Sequence, residues 1–253
     1  MLAKEVRAAE STHWYTRQGS PMYTVPSKKD GTPRNTTLRD ARELNLVPSV
    51  TTILNVAAKP ALTAWLQEQA ILAALTLPRQ PEEAESAWLK RVVQDSKQQG
   101  RDAADLGTEI HGAIQSYYEG HRASKFPIHV STCTKAIEGR YGAQEWIAER
   151  AFAHELGFGG KADLYTPAGI VIDIKTKDFD DASKVTAYDE HMMQLAAYRV
   201  GLGVPTARCA NVFTSRNNPD LVVVKEWAED DLQRGWEMFL SLLKFWQLKN
   251  QHE

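Results

Sequence analysis

The stretch Gly157–Lys177, GFGGKADLYTPAGIVIDIKTK, decides the fold because it predicts a β-hairpin. Proline and glycine favour turns, so the hairpin turn is predicted at Thr166–Gly169. Successive side chains of a strand point to opposite faces. One face of the return strand then carries a stripe suited to a core: Ile170, Ile172 and Ile174. The opposite face carries Asp173 and Lys175.

A second carboxylate lies on the first strand of this hairpin. The predicted pairing brings Asp163 beside Asp173 and Lys175. Two carboxylates with room for water favour a hard divalent cation such as Mg²⁺. A neighbouring lysine can orient a water or offset developing negative charge. The alternative is an Asp–Lys ion pair on the solvated face of an edge strand, since D-x-K is a short motif.

Composition indicates a globular protein. The chain has 253 residues, of which 43% are apolar and 25% charged, enough for one large domain or a core with an extension. No apolar run approaches the length of a membrane span, and Met1–Trp14 lacks the apolar core of a signal peptide. Cys133 and Cys209 are too few for an iron–sulfur cluster, so none is expected, and a reducing cytoplasm is the simplest location.

The N-terminal region has a locally basic segment. The net charge of −2 argues against indiscriminate coating of nucleic acid but leaves room for a basic groove. A short hairpin is predicted around Gly19–Pro21. The polar stretch from Val25 to Leu44 is either a solvated loop leading into a helix or an arm that contacts phosphates. Its basic residues are Lys28, Lys29, Arg34, Arg39 and Arg42.

Helical patterns dominate the middle of the chain. Helices are predicted after an N-cap at Ser49, from Pro60 to Leu77, from about Glu82, and across residues 102–119. In the last of these, His111 lies at the edge of the apolar stripe. It is either a structural histidine or a ligand, and Gly107 and Gly112 beside it would let a backbone or a phosphate approach closely. Residues 121–140 give no clear pattern, and residues 145–148 are expected to end a helix.

The remainder alternates strands and helices. Strands are predicted over residues 149–154, 208–214 and 221–227, and helices over residues 189–203 and 230–249. On the first of these helices, Gln194 and Tyr198 share a face with His191. The order of helix, three strands, helix, two strands and helix predicts an α/β fold with a central mixed sheet flanked by helices, preceded by an N-terminal helical and irregular extension.

Four short motifs in this order resemble the PD-(D/E)xK nuclease superfamily, specifically its RecB-like exonuclease branch, which has a restriction-endonuclease-like core. They are G-T-E-I-H, G-K-A-D, D-I-K-T and Q-L-A-A-Y, and the resemblance spans residues 105–227. PSVTTIL near the N-terminus is similar to stand-alone phage nucleases and to mitochondrial genome maintenance exonucleases. The resemblance implies a division into an N-terminal extension with a helical subdomain, residues 1–104, and a nuclease core, residues 105–253, together forming one compact unit.

The resemblance also implies a role for individual residues. His111, Asp163 and Asp173 match metal ligands, the backbone carbonyl of Ile174 adds a further ligand, and Lys175 matches the catalytic lysine. Gln194 and Tyr198 match a Q-x-x-x-Y motif that supports the lysine and contacts DNA. Glu149 corresponds to an acidic residue that leads into the sheet.

The function implied is Mg²⁺- or Mn²⁺-dependent hydrolysis of DNA by an exonuclease, in phage or prophage recombination and processing. Two alternatives stay open: a non-catalytic DNA-binding module that retains the nuclease fold, and a structure-specific endonuclease. Trp14, Tyr15 and the basic residues from Lys28 to Arg42 are candidates to line a path for the strand. The chain has no glycine-rich phosphate loop, so a helicase, a recombinase or a single-strand-binding protein is the partner expected for unwinding. The oligomeric state is left open.

Overall fold

A computed structural model describes residues 13–121 and 125–253 of the chain. Residues 1–12 lie outside the described residues. Two predictions fall on them: the lack of a signal peptide and the start of the N-terminal extension. The described chain begins with β1 (Trp14–Tyr15), β2 (Thr24–Pro26), β3 (Pro33–Asn35), α1 (Leu38–Leu44), β4 (Val47–Pro48), α2 (Val50–Leu54), α3 (Pro60–Thr76), α4 (Glu85–Tyr118) and α5 (Pro127–Tyr141). It continues with β5 (Ile147–His154), β6 (Phe158–Thr166), β7 (Ile170–Lys177), α6 (Asp189–Gly201), β8 (Arg208–Ser215), β9 (Val222–Glu226) and α7 (Glu229–Asn250).

A five-stranded mixed sheet forms the centre of the fold, in the order β5-β6-β7-β8-β9. β7 and β8 run parallel, and the other neighbours are antiparallel. Helices cover both faces. The isoleucine stripe of β7 packs with Ile110 and Ile114 of α4 and with Ile137 of α5, while Val171 belongs to the opposite core with α6 and α7. The α/β prediction, with a mixed sheet flanked by helices, is confirmed.

The predicted hairpin is confirmed, and it lies inside the sheet. β6 and β7 pair with Leu164 opposite Ile172 and Thr166 opposite Ile170. The turn closes through a hydrogen bond of 2.9 Å from Gly169 N–H to Thr166 O, and the φ of +90° at Gly169 suits a glycine. Because β7 lies between β6 and β8, its Asp–Lys motif is not on an edge strand.

The N-terminal region is more ordered than the sequence predicts. Ser49 caps α2 as expected, with its Oγ accepting from Thr52 N–H at 3.0 Å. The stretch from Val25 to Leu44 is not a loop throughout, because β2 and β3 pair and α1 follows them. The short hairpin expected around Gly19 is reduced to a tight turn with one bridge between Tyr15 and Pro21, while β1 pairs with β4.

Helix α4 unites two helices that the sequence predicts separately. The helix predicted from Glu82 and the helix predicted over residues 102–119 are one 34-residue helix. Gly100 and Gly107 do not interrupt it, since a glycine costs a helix only about 1 kcal/mol relative to alanine, far less than a proline. The proposed division at residue 104 falls within α4.

The segment between α4 and the sheet holds an element that the sequence pattern missed. α5 packs Val130, Cys133 and Ile137 into the core on the α4 side of the sheet. α5 ends at Tyr141 and β5 begins at Ile147, so the expectation that residues 145–148 end a helix is wrong. In the described part of the chain, no helix is long and apolar enough to cross a membrane.

We expect Gly201→Ala to destabilise the fold, because a Cβ at Gly201 would overlap the ring of Phe152, which packs between α6 and the sheet. Overpacking of this kind costs about 1–3 kcal/mol. Gly139→Ala is the matched control on α5, where nothing lies within 4 Å of an added Cβ, and there the higher helix propensity of alanine should stabilise by up to about 1 kcal/mol. Urea unfolding of both variants measures the two shifts. Equal shifts would contradict the packing described.

Candidate active site

Three neighbouring strands and one helix bring polar side chains to the middle of the sheet. In the β5–β6 register, Ala148 faces Leu164 and Arg150 faces Ala162, so Glu149 lies opposite Asp163. Asp173 and Lys175 share a face of β7. α4 carries His111 to Asp163, with 3.1 Å between His111 Nε2 and Asp163 Oδ2.

The side chains of His111, Glu149 and Asp163 form a candidate cation cluster. Each offers one ligand atom, and these atoms all lie within 4.8 Å of one another. All three side chains are partly exposed. Asp163 Oδ2 also accepts a hydrogen bond of 2.6 Å from Ile174 N–H, and Glu149 pairs with Lys161. One imidazole nitrogen and two carboxylates are a donor set that suits a divalent cation.

Glu149 has an unusual backbone conformation. Its φ is +53°, in the left-handed region, although it lies inside strand β5. A non-glycine residue held in that region costs about 1–3 kcal/mol and persists only where its surroundings impose it. The structure therefore bends β5 at the residue that faces Asp163, and the sequence pattern alone gives no sign of it.

A second network surrounds Lys175 and Asp173. Lys175 Nζ donates to Asp173 Oδ1 and to Gln194 Oε1, both at 3.0 Å. Gln194 Nε2 lies 2.9 Å from Asp173 Oδ1 and 2.9 Å from the hydroxyl of Tyr198. Gln194 therefore holds the lysine through its carbonyl oxygen and the carboxylate through its amide nitrogen. The Asp173 side chain is 2% exposed, whereas that of Lys175 is 29% exposed.

Asn211 is a further hydrogen-bond donor to the Asp173 carboxylate, and the sequence analysis did not identify it. Its Nδ2 donates to Asp173 Oδ2 at 2.8 Å, and its Oδ1 accepts from Trp227 Nε1 at 2.8 Å. Asn211 is fully buried on β8, directly beside Asp173 in the parallel register. The one available signal was a buried-strand pattern, RCANVFT, with an amide at its centre.

The charges of the site shift each other's pKa values. The Asp163 carboxylate raises the pKa of His111 to about 9, against the opposing effect of burial. Burial raises the pKa of Asp163, but His111 and Lys175 more than offset it, so the net shift is downward. Burial also raises the pKa of Asp173, and the Lys175 ammonium opposes that shift. The site is thus a compact set of alternating charges.

Three of the five basic residues of the N-terminal segment contact acidic groups outside the site. Lys28 and Arg39 both pair with Glu43, and Arg34 makes two hydrogen bonds to Asp40, at 2.7 and 2.6 Å. Lys29 is exposed, and Arg42 donates to the carbonyl of Asn250.

Four residues expected to contact DNA are buried. Trp14 and Tyr15 lie in the core, so the expectation that they line a strand path is wrong. The side chains of Gln194 and Tyr198 have little surface for the DNA contact that the resemblance implies, since these residues are 6% and 5% exposed.

Comparison with known proteins gives distant likenesses. No family model and no curated protein matches the chain. The crystal structure of SSO0001 is 22% identical with a TM-score of 0.29 over 45% of this chain, and the chain spans 56% of its length. A putative exonuclease from Eubacterium rectale is 14% identical, with a TM-score of 0.42 over 58% of this chain and 69% of its own. An alkaline exonuclease, LHK-Exo from Laribacter hongkongensis, is 14% identical, with a TM-score of 0.33 over 74% of this chain and 97% of its own. Likenesses this low carry no inference about activity.

We expect Asp163→Asn to lower the pKa of His111, because the carboxylate is the main cause of its elevated value in the metal-free protein. A raised pKa stabilises the fold fully below the ordinary value of about 6.5 and progressively less as pH rises through the folded value. NMR titration of the His111 ring in chelator-treated protein measures the shift. An unchanged pKa in the variant would show that Asp163 does not face this ring.

Asn211→Leu should destabilise the fold by about 1–3 kcal/mol, because it removes one of the donors to the buried Asp173 Oδ2, which keeps its ion pair with Lys175, and leaves the Trp227 N–H without the Asn211 acceptor. Trp227→Phe should cost less, because it removes only the donor to Asn211 and leaves the carboxylate satisfied. Chemical denaturation of both variants gives the comparison. A larger loss for Trp227→Phe would contradict the role given to Asn211.

Proposed function

We propose that this chain is a metal-dependent deoxyribonuclease of the RecB-like branch that hydrolyses phosphodiester bonds at DNA ends. The observation that carries the proposal is the side-by-side placement of two groups by strands β5, β6 and β7 and helix α4. One is the cation cluster of His111, Glu149 and Asp163, and the other is the partly exposed Lys175 ammonium held by buried partners. A cation bound in the cluster would polarise a phosphoryl oxygen, and a fixed ammonium beside it would offset the negative charge that develops on the same phosphate.

The donor set fits Mg²⁺ or Mn²⁺. Carboxylate oxygens suit both ions, and an imidazole nitrogen favours Mn²⁺. His111, Glu149 and Asp163 would hold the ion, with Asp173 and the carbonyl of Ile174 as the further ligands that the sequence motif implies. When bound, the ion polarises a phosphoryl oxygen and lowers the pKa of a coordinated water.

Lys175 is the residue of this chain suited to meet the scissile phosphate. Its ammonium is fixed by Asp173 and Gln194, so it requires little reorganisation when charge develops on the phosphate. Tyr198 anchors Gln194 from the buried side. In this proposal Gln194 and Tyr198 act by positioning the lysine rather than by touching the DNA.

Exposed basic residues of the N-terminal segment supply candidate contacts to the DNA backbone. Lys28, Lys29 and Arg39 are exposed, and Lys28 and Arg39 would exchange for a phosphate only a surface ion pair with Glu43, which contributes little to stability. Arg34 belongs to the same proposed set, although Asp40 holds its guanidinium at the start of α1. The proposal also includes the products, the biological role and the partner. The products carry a 5′-phosphate, and the role is in phage recombination. The partner is a recombinase, a helicase or a single-strand-binding protein.

The test is cleavage of end-labelled linear single-stranded DNA, linear double-stranded DNA and closed circular DNA, each with Mg²⁺, Mn²⁺ or EDTA. We expect metal-dependent digestion of linear DNA, none in EDTA, and intact circles. Digestion of circles would favour a structure-specific endonuclease. Metal-independent DNA binding without turnover would favour a binding module.

Asp163→Asn and Lys175→Met should each lower the cleavage rate by at least about 10³-fold while the protein stays folded. Asp220→Asn and Lys184→Met are the matched controls, because they make the same chemical changes at exposed positions. The controls should cleave at the unmodified rate. Full activity in either site variant would remove that residue from the proposed mechanism.

A further inference from the structure

Helix α4 comes close to strand β7 at Gly107, in addition to the packing of Ile110 and Ile114 on the same strand. A Cβ added at Gly107 would come within 3.0 Å of Thr176 Oγ1, closer than real Cβ atoms approach, with Thr176 Cβ at 3.6 Å and Arg216 Cδ at 3.8 Å. Thr176 follows Lys175 directly in β7. Because Gly107 has no side chain, helix α4 can approach Thr176 of strand β7 this closely.

Arg216, which directly follows β8, forms hydrogen bonds near the point where α4 approaches β7. Its guanidinium donates to Ala103 O at 2.8 Å, one turn before Gly107 on α4. It also binds the carboxylate of Asp178, which follows β7, at 2.8 and 2.7 Å. One side chain thus ties helix α4 to the end of strand β7 beside Gly107.

His111 is the functional side chain that depends on this crossing. It lies four residues after Gly107, so both are on the same side of α4. Its Nε2 lies 3.1 Å from Asp163 Oδ2, a contact that a small displacement of the helix would break. With the Thr176 hydroxyl in its present position, accommodating a methyl group at Gly107 would shift the helix by about 1 Å, and displacements of that size cost an active site about 10²-fold.

We propose that Gly107 is a positioning residue for His111: its contact with Thr176 sets the distance between α4 and β7, and thereby places His111 in the cation cluster. The inference deepens the proposed function and rests on it, since it takes the cluster to hold a divalent cation. A role in the helix itself does not account for this glycine, because alanine is the better helix former.

Gly112 provides a matched control on the same helix. It follows His111 directly, and an added Cβ there meets nothing within 4 Å. Gly107→Ala and Gly112→Ala therefore make the same chemical change with the same gain in helix propensity. They differ in whether the methyl group meets Thr176.

The experiment is calorimetric titration of Mn²⁺ into the full chain without DNA. Gly107→Ala should weaken Mn²⁺ binding by about 10–100-fold, the size of effect seen when the support of a metal ligand is lost. Gly112→Ala should bind within about twofold of the unmodified protein. Thr176→Ala in the Gly107→Ala protein should restore most of the affinity, because it removes the oxygen that the methyl group meets and leaves Thr176 Cβ at an ordinary distance.

Two further measurements separate positioning from general disruption. In a His111→Ala background, Gly107→Ala should cause no further loss, since a residue that acts through His111 has nothing left to position. Arg216→Met is the substitute variant in case Gly107→Ala does not fold. It keeps the aliphatic stem but removes the donors to Ala103 and Asp178. It should weaken Mn²⁺ binding by a smaller factor than the roughly 10–100-fold expected for Gly107→Ala.

The inference is overturned if Gly107→Ala binds Mn²⁺ as the unmodified protein does, if its loss persists undiminished in the His111→Ala background, or if Thr176→Ala restores nothing. It is also overturned if the unmodified protein binds no Mn²⁺. Normal Mn²⁺ binding without DNA cleavage would instead count against the proposed function alone.

Discussion

Two carboxylates from adjacent strands, Asp163 and Asp173, set the constraint on which the rest of the structure depends. Placing two negative charges close together in a folded interior is costly unless each is paired and hydrogen-bonded. The chain meets this cost by bringing His111 and the Ile174 N–H to Asp163, and Lys175 to Asp173. Strand β7 supplies the Ile174 N–H and Lys175, and helix α4 supplies His111.

The two carboxylates have different environments. Asp163 belongs to a partly exposed cluster with His111 and Glu149, where a cation has access. Asp173 is closed off, with donors from Lys175, Gln194 and Asn211 on its two oxygens. A cation can therefore reach Asp163 directly, whereas Asp173 would have to exchange one of its donors to become the further ligand proposed above. Burial and hydrogen bonding thus give the two carboxylates different surroundings.

The sequence predicts the parts of the site that depend on local periodicity. Alternation along β7 places Asp173 and Lys175 on one face, and helical spacing aligns Gln194 with Tyr198. It does not predict Glu149 as a cluster member, because that depends on a left-handed residue inside a strand, nor Asn211, because that depends on the parallel register of β7 and β8. Local periodicity also does not predict the burial of Trp14 and Tyr15, which looked suited to stack on bases. Their partners are distant in the sequence: Trp14 packs on Trp246 and His252, and Tyr15 packs on Gly159 of β6.

We propose that His111, Glu149 and Asp163 together hold one divalent cation. A crystal of the chain soaked in Mn²⁺ and measured at the manganese absorption edge tests this directly. We expect an anomalous peak bounded by His111 Nε2 and one oxygen each of Glu149 and Asp163, with Lys161 displaced from Glu149. The absence of a peak there, with Lys161 still paired to Glu149 and His111 still bound to Asp163, would contradict it.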